Sequence, residues 1–186
     1  LTEIMDLPIY IDDDAGITIN EFAARVDRAV LQYKLRLIVL DYLQIMNADP
    51  EMRLINEYQI VTYASRTCRM LARKHGISSI ALSQLSRPAD KRKPDARPTL
   101  GELKMSGGIE NDAQAVMLIH RPEMFHHGDL ALSGKAEAII AKSRVGSLGV
   151  VNMTFMGKYL KFVDHGAEPP HAYASDEAKE SEQFPT

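Results

Sequence analysis

The chain of 186 residues has a single cysteine, Cys68. No intrachain disulfide can form, and a metal site built from a cysteine cluster is excluded. Such cysteine usage suits a reducing cytosol. No apolar run approaches the roughly 20 residues that cross a bilayer. The amino terminus also lacks the pattern of a secretory signal. No membrane role is expected. A strong charge of one sign is missing too, because the net charge is only -3. A nucleic-acid partner would therefore have to be met by a local patch or loop, not by the whole surface. No internal repeat is visible, which argues against a solenoid or propeller.

What is present is ordinary for a globular protein, 45% hydrophobic and 25% charged. A chain of this length fits one domain with a real core. It starts at Leu1, and Leu1–Asp6 reads as the tail of a longer element, so further residues are expected upstream.

Leu37–Met46, LIVLDYLQIM, is the most informative stretch. Ile38 and Val39 are β-branched within an aliphatic run, the composition of a strand buried on both faces in a parallel sheet. The run ends in Asp41. In α/β proteins ligands bind beyond the carboxyl ends of such strands. In nucleotide hydrolases an acid here is the Walker B residue, which holds Mg²⁺ through water. Taken alone, Asp41 reads equally well as an acid that caps a turn.

Strands and helices alternate around this segment. Pro8–Asp13 predicts a short strand ending in acids, broken by Gly16. Thr18-Ile-Asn-Glu21 is a capping box, and Ile19, Phe22, Val26, Val30 and Tyr33 keep helical spacing. A polar connection over 47–53 leads to a second helix from about Leu54 to His75. Its apolar face is Leu54, Tyr58, Val61, Ala64, Cys68, Leu71 and Ala72. Arg73, Lys74 and His75 suit its carboxyl-terminal dipole, and Gly76 supplies the stop. Cys68 is thus expected to be buried packing.

Ile77–Ser83 predicts the next buried strand, with Gln84 at its end as Asp41 is at the end of the first. Arg87–Pro98 is a polar, proline-rich loop of mixed charge, and a solvated connection is its simplest reading. A short helix is expected within Thr99–Asp112, then a strand over Ala115–His120 and a long loop over Glu123–Lys135. Ala136–Ala141 is a further strand, ended by Lys142-Ser-Arg144-Val-Gly146. Gly149–Phe155 and Lys158–Val163 alternate and read as a hairpin turned at Met156-Gly157. His126-His127 beside Asp129 lack further ligands and read as solvated. The acidic stretch over 165–186 is expected to be a disordered tail. The pattern predicts an α/β class: a three-layer domain with a mostly parallel sheet and antiparallel strands at its carboxyl-terminal end.

Four segments then occur in order: LIVLDYLQIM, SQLSR at Ser83–Arg87, LKMSGGIENDAQAVMLIHR at Leu103–Arg121, and AIIAKSRVGSLG at Ala138–Gly149. Together they resemble the carboxyl-terminal motor domain of DnaB-type replicative helicases, over nearly all of Leu7–Asp164. The resemblance implies a RecA-like fold in 1–164, a homohexameric ring, ATP hydrolysis with Mg²⁺, and translocation on single-stranded DNA. It also implies primase and a helicase loader as partners, in the cytoplasm of a bacterial or phage-infected cell.

By the same resemblance, Asp41 is the Walker B acid and Gln84 the strand-end amide that senses the γ-phosphate. Lys142 and Arg144 are the basic pair that reaches across a subunit boundary, with Arg144 as an arginine finger. Two apart on a strand, their side chains would point the same way. Lys104–Gly108 matches the loop that holds DNA in the central channel, where small residues let backbone N–H groups reach phosphates. Lys104, Ser106, Gly107 and Gly108 are its candidate contacts, with Arg87 in support. The family tends to have Arg-Glu where Lys104-Met105 stand; Lys104 still offers a point charge, whereas Met105 cannot act as an acid. Phe155 or Tyr159 could stack on adenine, although core packing is the simpler role of either.

A P-loop, GxxxxGK[ST], occurs nowhere in these residues. The family places it upstream of Leu1, together with the glutamate that polarises the attacking water. By the resemblance, its strand belongs between the Ser79–Ser83 and Ala115–His120 strands. Without it, strand edges and apolar faces are expected to be exposed. Two other readings stay open. One is a catalytically inactive oligomerisation or DNA-binding remnant of such a helicase. The other is a different RecA-like ATPase, against which YLQ after Asp41 and SQLSR argue. In either helicase reading, the chain alone should turn over no ATP, for want of a phosphate cradle, and should be unstable or self-associating. Steady hydrolysis that Asp41→Asn abolishes would contradict this.

Overall fold

A computed structural model describes residues 7–14, 16–53, 56–85, 97–126 and 128–166, apart from the side chains of 104–107. They fall in two compact units. One is drawn from Leu1–Arg87 and Leu100–Gln114, the other from Pro88–Thr99 and Ala115–Thr186.

The first unit begins with helix α1, Ile19–Tyr33. The capping box forms as expected: the Thr18 hydroxyl accepts from Glu21 N–H, and the Glu21 carboxylate accepts from Thr18 N–H at 2.8 Å. Ile19, Phe22 and Val26 are buried on its inner face. Strand β1, Leu37–Leu40, follows. Helix α2, Glu57–His75, is capped by the Asn56 side chain and ends at Gly76, whose φ of 64° suits a residue without Cβ. Its start falls just after Leu54 and Ile55, which lie outside the described residues. Strand β2, Ser78–Ala81, returns parallel to β1. A 3-10 turn, Leu100–Ser106, and the short helix α3, Gly107–Asp112, complete the unit. One apolar cluster joins Ile19, Phe22 and Val26 to Ile38, Leu40 and Leu43, and to Val61, Ala64, Cys68, Leu71 and Ile109. Cys68 is buried in it, and desolvation pushes its thiol pKa up to about 11, so it is packing and not a nucleophile.

Two expectations fail in this unit. Pro8–Asp13 forms no strand, and no described strand pairs with it. Pro8 cannot donate to a ladder, and the acids that follow are drawn instead to Arg25 on α1, at 2.9 Å from Asp12 and 2.6 Å from Asp14. Nor are β1 and β2 buried on both faces. Ile38 and Leu40 are covered, but Leu37 is 46% exposed, Val39 59% and Ile80 52%. Helices α1 and α2 supply apolar side chains to one face only. Composition alone reports apolarity, not which face finds a cover.

The second unit is a four-stranded antiparallel meander in the order β3-β4-β5-β6. Its strands are β3, Ala115–His120; β4, Lys135–Ser143; β5, Gly149–Met156; and β6, Lys161–Asp164. The β5–β6 loop is longer than the expected two residues. Pairing persists to Met156 opposite Lys161, and Leu160 takes a left-handed conformation to close the turn. The loop before β4 is organised by Glu123. Its carboxylate takes the Arg121 guanidinium and the Gly134 N–H, the latter at 2.6 Å. These donors, Arg121 first, hold its pKa below the usual carboxylate range.

The mixed α/β class stands, with a parallel pair followed by antiparallel strands toward the carboxyl-terminal end. One described pair is parallel and three are antiparallel. Helix α2 provides the crossover that parallel strands require, whereas the links among β3 to β6 are loops and 3-10 turns that return antiparallel.

The uncovered face of β1–β2 yields a prediction. The double substitution Val39→Thr, Ile80→Thr should reduce self-association in sedimentation velocity and change stability by no more than about 0.5 kcal/mol, as for other exposed sites. A loss of several kcal/mol in urea denaturation would show that this face is covered in the folded chain.

Candidate functional site

The first unit brings two of the sequence-predicted residues together. Leu40 pairs with Ala81, so Asp41 and Gln84 follow the carboxyl ends of adjacent parallel strands. The chain after each strand stays laced to its neighbour: Leu82 N–H donates to Leu40 O, and Leu43 N–H to Leu82 O, both at 2.9 Å. Asp41 is exposed, and the peptide that follows it is cis. Two residues on, Leu43 is only 1% exposed, so a core side chain anchors the segment that presents the acid.

Gln44 completes this arrangement. Its Nε2 donates to Ser83 Oγ at 3.0 Å and to Gln84 O at 3.4 Å, and its Oε1 accepts from Gln84 N–H at 3.3 Å. The amide of Gln44 thus fixes the backbone of Gln84 and leaves the Gln84 side chain exposed. Sequence reasoning noted YLQ as a family mark but gave Gln44 no role. A glutamine three residues past a strand-end acid was the available signal.

The channel-loop candidates lie in the same unit. Lys104 and Ser106 fall in the 3-10 turn, and Gly107 and Gly108 open α3. The side chains of Lys104 and Ser106 lie outside the described residues, as does Arg87 entirely. Gly108 is informative. A Cβ added to it would stand 2.9 Å from Thr62 Cβ on α2, and closer still to Thr62 Cγ2. The small size of Gly108 is therefore required by helix packing, on the side facing α2.

Lys142 and Arg144 belong to the second unit. Lys142 is on β4 and half-buried. A bulge between Val116 and Met117 shifts the register so that Lys142 pairs with Val116. Bulges re-aim the side chains that follow them, so this one sets the face on which Lys142 lies. Arg144 does not sit on the strand with it. β4 ends at Ser143, whose Oγ accepts from Gly146 N–H at 2.8 Å, and Arg144 is exposed in the resulting bend. The expected common direction of the two side chains rested on a strand that stops one residue early. Further along β4, Glu137 takes a two-point ion pair from Arg97, 2.6 Å from Nε, which holds its pKa below the usual range.

Phe155 is not an open stacking platform. The Arg121 guanidinium lies 3.6 Å from its ring centre and Phe162 lies 4.8 Å away, so both neighbours engage it. A groove of about 500 Å³ opens beside it, lined by Arg121, Glu123, His126, Asp129 and Gly157 among others. Among the described residues no three His, Cys, Asp or Glu side chains form a metal-binding group, and His127 lies outside them. No described helix is long and apolar enough to cross a membrane.

A single exposed carboxylate at a strand end is what a water-mediated Mg²⁺ site needs, since Mg²⁺ keeps several waters and takes one or two carboxylates plus substrate phosphates. Asp41 could serve as that carboxylate.

Known proteins resemble this chain. The family described as DnaB-like helicase C terminal domain matches residues 1–164. A replicative DNA helicase DnaB of Leifsonia xyli is 38% identical over 87% of this chain, and that of Geobacillus stearothermophilus 37% identical over 84%. The chain spans 34% of the length of each. Two solved structures share the fold at a TM-score of 0.75 and 30% identity, each covering 88% of this chain. One is described as an ATPase domain, of which 57% is covered. The other is a DnaB-like replicative helicase described with its interactions with primase, of which 38% is covered. The chain belongs to the DnaB-like helicase C-terminal domain family and has its RecA-like α/β fold.

Proposed function

We propose that this chain is the carboxyl-terminal part of the motor of an ATP-dependent replicative DNA helicase, which moves along single-stranded DNA and separates duplex. The observation that carries the reading is the pairing of strand ends: Asp41 and Gln84 follow adjacent parallel strands, and Gln44, three residues past Asp41, hydrogen-bonds the Gln84 backbone. Asp41 would hold the waters of Mg²⁺, and Gln84 would donate its amide to a terminal phosphate oxygen. When bound, Mg²⁺ and ATP supply the phosphoryl group to be transferred and the charge that neutralises it.

Each remaining group has a distinct task. Gln84 gains a partner while the terminal phosphate is present and loses it on release, so its segment has two states to choose between. Gln44 is a positioning residue, because it acts through the Gln84 backbone. Lys142 and Arg144 would reach the phosphates of a neighbouring subunit, Arg144 as a finger acting in trans, which requires a ring of identical subunits. The backbone of Ser106, Gly107 and Gly108, with Lys104 as a point charge and Arg87 in support, would follow DNA phosphates. Contacts of that kind are indifferent to base sequence, as a motor requires. Primase and a helicase loader are the partners this reading implies, and the cytoplasm its place of work.

Mixing two inactive forms tests the assignment. In the protein that carries the upstream phosphate-binding loop, Asp41→Asn and Arg144→Ala should each lower DNA-stimulated ATP hydrolysis. The loss for Arg144→Ala should be about 10³–10⁵-fold, the size of an arginine-finger effect. Mixed rings of the two should regain activity, because a sound Arg144 then faces a sound Asp41 site. No recovery on mixing, with ring assembly intact, would remove Arg144 from a trans role.

A further inference from the structure

Helix α3 is held on α2 at both ends. At its start, a Gly108 Cβ would be 3.0 Å from Thr62 Oγ1, 2.9 Å from Thr62 Cβ and nearer again to Thr62 Cγ2. Separations below about 3 Å are repulsive for carbon against carbon, which attract only near 3.5–4.0 Å. At its end, Asp112 takes Arg69 at 3.2 Å. Thr62 and Arg69 are two turns apart on α2 and so share a face. Between these contacts Ile109 enters the core.

Thr62 is suited to set a distance. It is β-branched and stiff at χ1, and it is flanked on α2 by buried Val61 and Ala64. Its Oγ1 is shielded from solvent and has no hydrogen-bond partner among the described residues. A hydroxyl in that state contributes no bond, so what Thr62 offers α3 is shape.

We propose that Thr62 is a positioning residue for the channel loop. Its branched side chain sets how closely the backbone at Gly108 rides on α2, and hence how far the Ser106–Gly108 N–H groups reach toward a DNA phosphate. This deepens the proposed function and rests on its reading of Lys104–Gly108 as a DNA contact. It gives Thr62 a role with no motif to mark it, and it makes Gly108 a packing requirement.

The test is a double-mutant cycle in the protein that carries the upstream phosphate-binding loop, with melting and binding of a labelled oligothymidylate measured in parallel. Alanine usually stabilises a helix relative to glycine. Here Gly108→Ala should instead lower the melting temperature and weaken binding. Binding is titrated against salt at a temperature where every variant is folded. The salt slope should become shallower by about 0.7, one phosphate contact on a single strand. Adding Thr62→Ala should restore affinity and slope. Thr62→Val alone, with the same shape and no unpaired buried hydroxyl, should match the unmodified protein in affinity and slope and melt no lower. A Gly108→Ala variant that melts higher and binds unchanged would overturn the proposal, as would a double variant that recovers nothing. If the unmodified protein, assembled as a ring, binds no oligonucleotide, the DNA reading itself fails, and the melting cycle still decides whether Thr62 seats the loop.

Discussion

The parallel pairing of β1 with β2 places Leu40 beside Ala81, and what the site can do follows from that register. Parallel strands need a crossover, and α2 supplies it, capped by Asn56 and stopped by Gly76. The crossover brings both strands out on the same edge, so an acid and an amide far apart in sequence become neighbours. Hydrogen bonds from Leu82 to Leu40 and from Leu43 to Leu82 continue the lacing past the strands. Gln44 then adds bonds from its side-chain amide to Ser83 and Gln84. Each is worth about 1 kcal/mol net, enough to hold a loop in one state yet small enough to yield to a ligand. A slip of one residue along β2 would turn every side chain to the other face.

Much of this was legible in the sequence because it is local. The capping box at Thr18 and Glu21, the glycine stop at Gly76, and the periodicity of α1 and α2 each depend on residues within one or two turns, and all are present. The burial of Cys68 followed from its place on that periodicity. Pro8–Asp13 misled because an apolar segment becomes a strand only when a partner edge is available. The faces of β1 and β2 misled for a related reason: Val39 is as aliphatic as Ile38, and only tertiary cover separates them.

The candidate site was legible as a set of residue types but not as an arrangement. Asp41 directly follows β1, as expected, whereas Gln84 lies three residues past the end of β2, which stops at Ala81. Gln44 was not foreseen, because its partners lie some 40 residues away. Thr62 was invisible for the same reason, as its importance comes from a glycine on another helix. In the second unit β4 ends before Arg144, so Lys142 and Arg144 do not share a strand, and such an end leaves no reliable mark in a sequence. Lys142 is placed by an antiparallel sheet, whereas Asp41 and Gln84 follow a parallel strand pair.

Family membership shows what kind of machine these residues belong to, and the chain spans about a third of the length of the helicases it matches. The central claim is that Asp41 and Gln84 serve a phosphate cradle encoded in the same reading frame. The most direct measurement is to sequence the coding DNA immediately upstream of the Leu1 codon. The account predicts an open frame encoding a glycine-rich loop that ends in GK[ST]. A stop codon in frame directly before Leu1 would contradict it, and would leave a chain that binds and assembles without hydrolysing ATP.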